Sequence, residues 1–429
     1  MERRLREMGI PEGAAVADDT GTNSRSLYIC TYKCNSRSFH ARYDISAIGL
    51  SDLSSILKSK SQLKIDKLEL LRKLASVEGK DVPYDMGCCL FRSQILLAGG
   101  GKPEDSEQDD TSLYELDADT QIYLFEADDN EKTKAKVYNH GNRFGSFPPP
   151  HSHSHSHGGG IIKGDCCYGE LHQGKPQPLV VEVAGKLFVL SSGPVDFPSP
   201  AFEEFNSNKG IWTTLPDPPP YTGDCRDFSY AIVGTKIMVS TPISSVFCFD
   251  ADAPNPGQWS VCCAEPFPFE GKALVLDLEE DDNRNKIVFG YEHIPGHGYD
   301  VVAYTMFNDD ENGYCYCHRI TPLHLLTEFS ELVFGTDNTF SFVHLGGGKV
   351  CFVIAYSMAS LEGDDDYPIL GEEEVDLIVV TFEFSISKKD GNSTRFFSTK
   401  TLGSCIFPFD FASESGSVFE AKLLGCFVR

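Results

Sequence analysis

Positive charge is in short supply in this chain. Its 429 residues hold 37 Lys and Arg against 63 Asp and Glu, a formal net charge of -26. Binding to nucleic-acid backbones or anionic lipid heads rests on Lys and Arg neutralising phosphate, so this balance argues against both partners. Long apolar runs are missing too; none approaches the roughly 20 residues of a membrane-spanning helix. The start, MERRLREMGIPEG, is charged and lacks the apolar stretch of a secretory signal. The expected location is therefore the cytoplasm or nucleus, with no export. Methionine and tryptophan are scarce, at 6 and 2, whereas Phe and Tyr reach 30 and 17, a bias that suits strands and disfavours a helix-dominated fold.

Common catalytic signatures are absent as well. There is no HExxH and no GxSxG, and Gly346-Gly347-Gly348-Lys349 runs into Val350 where a phosphate-binding loop needs Ser or Thr, so it reads as a hairpin turn. The 15 cysteines are odd in number and partly adjacent, as at Cys88-Cys89 and Cys262-Cys263, which fits reduced thiols used as small strand residues. Metal-like spacings occur without the rest of a site. His151, His153, His155 and His157 alternate on a glycine-flanked tract with no fixed geometry. The Asp281 to Glu292 loop has Lys286 where a calcium loop needs glycine, and Cys315, Cys317 and His318 share a strand with no second pair nearby. No metal and no cofactor are expected.

The clearest organisation lies between Pro178 and Pro220. Leu179 to Val183 and Lys186 to Leu190 are β-rich runs joined by Ala184-Gly185, where glycine takes the positive φ of a tight hairpin. Ala201 to Asn206, with Phe202 and Phe205, then turns at Lys209-Gly210 into Ile211 to Leu215, which carries Trp212. The stretch from Phe228 to Cys262 repeats the pattern: Gly234 at the first turn, Phe247 to Phe249 on the third run, Trp259 near the fourth. Trp212 lies 27 residues after Gly185, and Trp259 lies 25 after Gly234. Gly87 to Glu126 offers another copy, with Gly99 and Gly100 after its hairpin and Tyr114 assigned to its third run. Looser copies follow over 273–320 and 330–400, and Ser417 to Val428 reads as a closing strand for the amino-terminal runs. Residues 1–25 read as a disordered leader and 128–174 as a flexible His/Gly/Pro-rich insertion within a domain spanning 26–429. Leu63, Leu70, Leu71, Leu74 and Val77 predict a short amphipathic helix over Ser61 to Val77.

Four short antiparallel strands per repeat, with a glycine turn, an aromatic third strand and a fourth-strand tryptophan, resemble the kelch repeats of plant β-propellers. The resemblance implies an all-β propeller of about six four-stranded blades, acting as a protein-interaction module with a protein partner. The alternative it implies is a small-molecule-binding protein or enzyme of plant specialised metabolism, isomerase-, lyase- or cyclase-like, with its pocket on the top face. Similar iron-dependent specifier proteins carry an E-x-x-x-D-x-x-x-H motif, but Glu115 and Asp119 are followed here by Tyr123, and Glu362 and Asp366 by Leu370. The loop holding His293, His297 and Tyr299 is the one place where imidazoles and a phenol gather between strands, and it is the candidate functional loop.

Overall fold

The structure is a computed structural model. It describes residues 25–35, 40–58, 71–103, 116–118, 120–126, 136–140, 161–162, 169–175, 177–192, 200–207, 209–219, 228–253, 258–278, 285–309, 314–329, 338–357, 375–388, 395–409 and 418–429. The leader, the histidine tract, Tyr114, Glu115 and Asp119, Asp281 and Asn283, and Glu362 to Leu370 lie outside them.

The described chain is all-β apart from one α-helix and a single 3-10 turn, and no described helix is long and apolar enough to cross a membrane. Its strands fall into antiparallel four-stranded units. The third unit, Pro178–Val183, Lys186–Ser191, Phe202–Asn206 and Ile211–Thr214, follows the sequence pattern closely. The second contains Gly87–Phe91, Gln94–Ala98, Ile122–Glu126 and Lys136–His140, with Ile161–Ile162 added in parallel at its edge. Its third strand therefore carries Tyr123, and its fourth lies inside the stretch 128–174.

The fourth unit begins at Ser229–Val233 and the fifth at Glu270–Asp277. A two-residue parallel pairing between these strands, Ser229 with Gly271 and Tyr230 with Lys272, fuses the two meanders into one eight-stranded sheet. The sixth unit begins at Phe340–Gly346, and Gly347-Gly348 closes its first hairpin as the sequence implied. In the first unit, Val418–Val428 pairs antiparallel with Ser26–Asn35, whose other edge carries His40–Gly49 and then Arg72–Gly79. The chain thus closes on itself, and the amino-terminal strand leaves no open edge.

The helix is a correction. It spans Leu50–Lys58 (α1), between two strands of the first unit; of the stretch expected to be helical, residues 61–70 lie outside the described residues and Arg72–Gly79 is a strand. Leu50, Leu53, Ile56 and Leu57 form the helical stripe, and Leu53 and Leu57 bury against the sixth unit. Ala75 and Val77 instead alternate with exposed or half-buried neighbours, the period of a strand packed on one face. Leu71, Leu74 and Val77 have helical spacing by coincidence, and pairing with His40–Gly49 decides their conformation.

Apolar runs in these strands are continuous because both faces of each unit are buried. In Lys186–Ser191, Leu187 and Val189 pack toward the second unit while Phe188 and Leu190 pack toward the fourth. In the sixth unit Phe352 and Ile354 join the fifth, and Cys351 and Val353 join the first. Burying each large side chain contributes about 1.5–3 kcal/mol. Six apolar clusters connect the first unit to the second, each later unit to the next, and the sixth to the first. The leading strands neighbour one another in the same order. Gly87–Phe91 touches Pro178–Val183 and Val418–Val428, and Val418–Val428 touches Phe340–Gly346. Phe340–Gly346 touches Glu270–Asp277, which touches Ser229–Val233.

Candidate functional site on the leading strands

Titratable side chains that sequence spacing left far apart converge where these leading strands meet. The fifth unit opens with Glu270-Gly271-Lys272, and its pairing with the next strand lapses between Glu270 and Leu274. Gly271 sits at φ 59°, and a Cβ there would lie 2.9 Å from the Phe340 ring, so the bulge and the aromatic wall both require glycine. Released from that ladder, Lys272 pairs in register with Tyr230 of the fourth unit.

Lys272 is open to solvent by surface area, yet its ammonium is desolvated, which pushes its pKa down. Protein crowds the ammonium while part of the side chain stays open to water. The thiols of Cys89, Cys88 and Cys426, from two other leading strands, act in the opposite sense on Lys272. They are themselves protonated: burial raises all three, Cys89 to about 12. Burial likewise raises the Tyr230 phenol, with added effects of Cys89 and Cys88. Cys88 and Cys89 thus act on both Lys272 and Tyr230.

A second lobe joins at Glu270. The Tyr299 hydroxyl donates to Glu270 Oε1 at 3.1 Å, and the Tyr299 ring stacks on Tyr291 with centroids 5.1 Å apart. Tyr291 is fully buried, and its hydroxyl has no hydrogen-bond partner among the described residues. Burial, then the charges of Glu270, Tyr299 and Asp300, raises its pKa. An orphaned buried hydroxyl costs about 1–3 kcal/mol, so this group asks for a partner. Nearby, buried Asp300 accepts from the backbone N–H groups of Val301 at 2.7 Å and Leu325 at 3.1 Å, and burial raises its carboxyl.

The loop chosen from sequence touches only the edge of this arrangement. Tyr299 belongs to the second lobe. His293 is exposed, pairs across the strand with Tyr299 and meets its ring edge-on at 5.1 Å. His297 lies in the turn between Ile294 and Gly298, and its ring neighbours His324 rather than Tyr299. No group of three or more His, Cys, Asp or Glu able to hold a metal occurs among the described residues. Of the other marked positions, Gly185 and Gly234 occupy two-residue hairpin turns at positive φ. Trp212 packs on Phe205 in the cluster shared with the second unit, and Trp259 on Phe249 and Phe202 in the cluster shared with the third.

Gly99 and Gly100 sit where two segments come close. A Cβ on Gly99 would lie 2.8 Å from the Lys175 carbonyl, and Gly100 N–H donates to that carbonyl at 2.8 Å. This anchors a separate ionic network. Fully buried Glu203 accepts from Lys175 Nζ at 2.5 Å and from His172 N–H at 3.0 Å, and lies 2.7 Å from His172 Nδ1. Lys175 also donates to the Gln173 carbonyl at 2.7 Å. The bonds to Glu203 tie the lead-in of the third unit to its third strand, and His172 reaches the surface.

The model of the family described as "Protein of unknown function (DUF1668)" matches residues 166–402, more than half the chain. The chain belongs to that family. No curated protein sequence matches it closely enough to count as a relative. Among solved structures, it is similar to the α-L-arabinofuranosidase PaAbf62A of Podospora anserina in complex with cellotriose, at 12% identity and TM-score 0.31 over 69% of this chain and 89% of that one. It is also similar to apo AztD from Citrobacter koseri, at 10% identity and TM-score 0.33 over 94% and 98%. A protein of unknown function from Dyadobacter fermentans gives 12% identity and TM-score 0.34 over 84% and 95%. Superpositions this loose carry no argument for fold or activity.

Proposed function

We propose that the chain is a six-bladed β-propeller that works as a small-molecule-binding protein, with its ligand seated where the leading strands of the blades converge. Six four-stranded units, linked each to the next by an apolar cluster and closed by the pairing of Val418–Val428 with Ser26–Asn35, support the propeller reading. The observation that carries the binding reading is the meeting of Lys272, Tyr230, Glu270 and Tyr291 from neighbouring strands, with the Tyr291 hydroxyl buried and unpartnered. A catalytic role is not needed to account for it.

A thermal-shift screen of neutral and charged metabolites on the purified full chain, followed by native mass spectrometry of the hits, tests this reading. The expected result is a bound small molecule that raises Tm, with affinity reduced about fivefold by Tyr291→Phe through loss of one hydrogen bond. A screen without any stabilising small molecule, or one whose hits ignore Tyr291→Phe and Lys272→Met alike, would overturn it.

A protein partner is a second reading. It is favoured by apolar side chains left open on two outermost strands, Ile211 at 50% and Val261 at 52% exposed, and in a turn of the fourth unit, Ile243 at 67%. Kelch-like propellers present such surfaces as interaction modules, and the two roles can share one scaffold.

A further inference from the structure

Resting on that binding reading, we infer that Lys272 is an attachment point for a ligand carrying an aldehyde or ketone, held as an imine on its Nζ.

Position supplies the first reason. Lys272 lies on a leading strand, after a bulge that frees it from the neighbouring ladder, and remains open to solvent. Among the described residues its side chain makes no ion pair or hydrogen bond. That separates it from Lys175, which is held by Glu203, and from Lys422, which is held by Asp85 at 2.9 Å. A cation left without a counter-charge is not needed to hold the fold together.

The surroundings supply the second. The thiols that act on Lys272 are protonated and give it no anion. Desolvation lowers its pKa, so more of the amine is neutral near pH 7 than for a surface lysine. No carboxylate is among the groups that act on Lys272. Tyr230, protonated and in register with Lys272, is positioned to donate to a ligand oxygen.

The chemistry balances without a further reactant. Neutral Nζ attacks the carbonyl carbon and forms the C–N bond, and the carbonyl electron pair moves to oxygen, which takes up a proton. Loss of that oxygen as water then leaves the C=N bond. The two hydrogens of the neutral amine end on the departing water, and nothing is oxidised or reduced.

The test treats the full-length protein with benzaldehyde at neutral pH in the presence of cyanoborohydride, which fixes an imine as a stable amine, and maps adducts by peptide mass spectrometry. An adduct on Lys272 is expected to accumulate at least about tenfold faster than the mean of the other lysines. Lys272→Arg keeps the cation and should lose that fast adduct alone, at unchanged Tm. Equal rates across all lysines, or an unmodified Lys272, would overturn the proposal. If Lys272 stays unmodified while a small molecule still raises Tm in a Tyr291-dependent way, the imine is wrong and the binding reading stands.

Discussion

Two lysines of this chain have lost much of their water, and their circumstances are opposite. Lys175 is fully buried, and Glu203 Oε1 and the Gln173 carbonyl replace its hydration. Lys272 stands on a leading strand beside phenols and protonated thiols, reachable by solvent and unpaired among the described residues. In both, desolvation lowers the pKa, but only for Lys175 does an acceptor push it back up through a hydrogen bond. A desolvated charge that is fully answered belongs to the framework; one left unanswered is available for chemistry.

The largest effect expected from this contrast is on stability. Lys175→Ala leaves Glu203 charged and buried beside an empty space, at a cost of about 3–5 kcal/mol, enough to threaten a chain of ordinary stability. Urea unfolding followed by fluorescence measures it. A loss below about 1 kcal/mol would mean that water or His172 already satisfies Glu203.

A smaller effect concerns a third buried group, Asp44 of the first unit. Burial alone would raise its carboxyl, but Arg42 and Lys73, aided by hydrogen bonds from Lys73 and Ser76, hold it below the usual 3.8. Since the folded-state pKa is the depressed one, its stabilisation is complete above the unfolded-state value and disappears as pH falls through the folded one. Asp44→Asn should cost about 1–3 kcal/mol at pH 7 and remove that acid-side loss. Asp300 has the opposite sign: its raised pKa means that its share of stability falls as pH rises from 3.8 through the folded value. Unfolding free energies of the two Asn variants between pH 3 and 7 should therefore diverge in slope. Parallel slopes would contradict the assignment.

The smallest effect is the most telling. Lys272→Met removes a desolvated cation that holds nothing, and stability should change by no more than about 0.5 kcal/mol.

The strand pattern was legible in the sequence wherever hairpin turns are short. Ala184-Gly185 and Gly234-Thr235 mark two of them, and the glycine and aromatic spacing around Trp212 and Trp259 located two complete units. Units with long connections were harder to read. The third strand of the second unit lies at Ile122–Glu126, beyond a short separate hairpin, and its fourth lies within a low-complexity stretch. The helix was misplaced because Leu71 to Val77 has a mixed period, and only pairing with His40–Gly49 resolves it.

The site was largely invisible. Lys272, Tyr230, Cys88 and Cys426 come from four separate units, and no local spacing connects them; the arrangement exists only once the units close on one another. One local clue was present in Glu270-Gly271-Lys272, a glycine-lysine step opening an apolar run. Tyr299 was found because it sits on a conspicuous loop, whereas its partners Tyr291 and Glu270 had no such marker.

Titration of Lys272 itself bears most directly on this picture. Lysines can be tagged by reductive methylation with 13C, and each methyl resonance then followed by NMR against pH, with Lys272→Arg to assign the peak. The Lys272 resonance should titrate clearly below the ordinary lysine value near 10.4. A Lys272 peak that titrates together with the surface lysines would contradict the account, because the amine would then be neither desolvated nor set apart for a ligand.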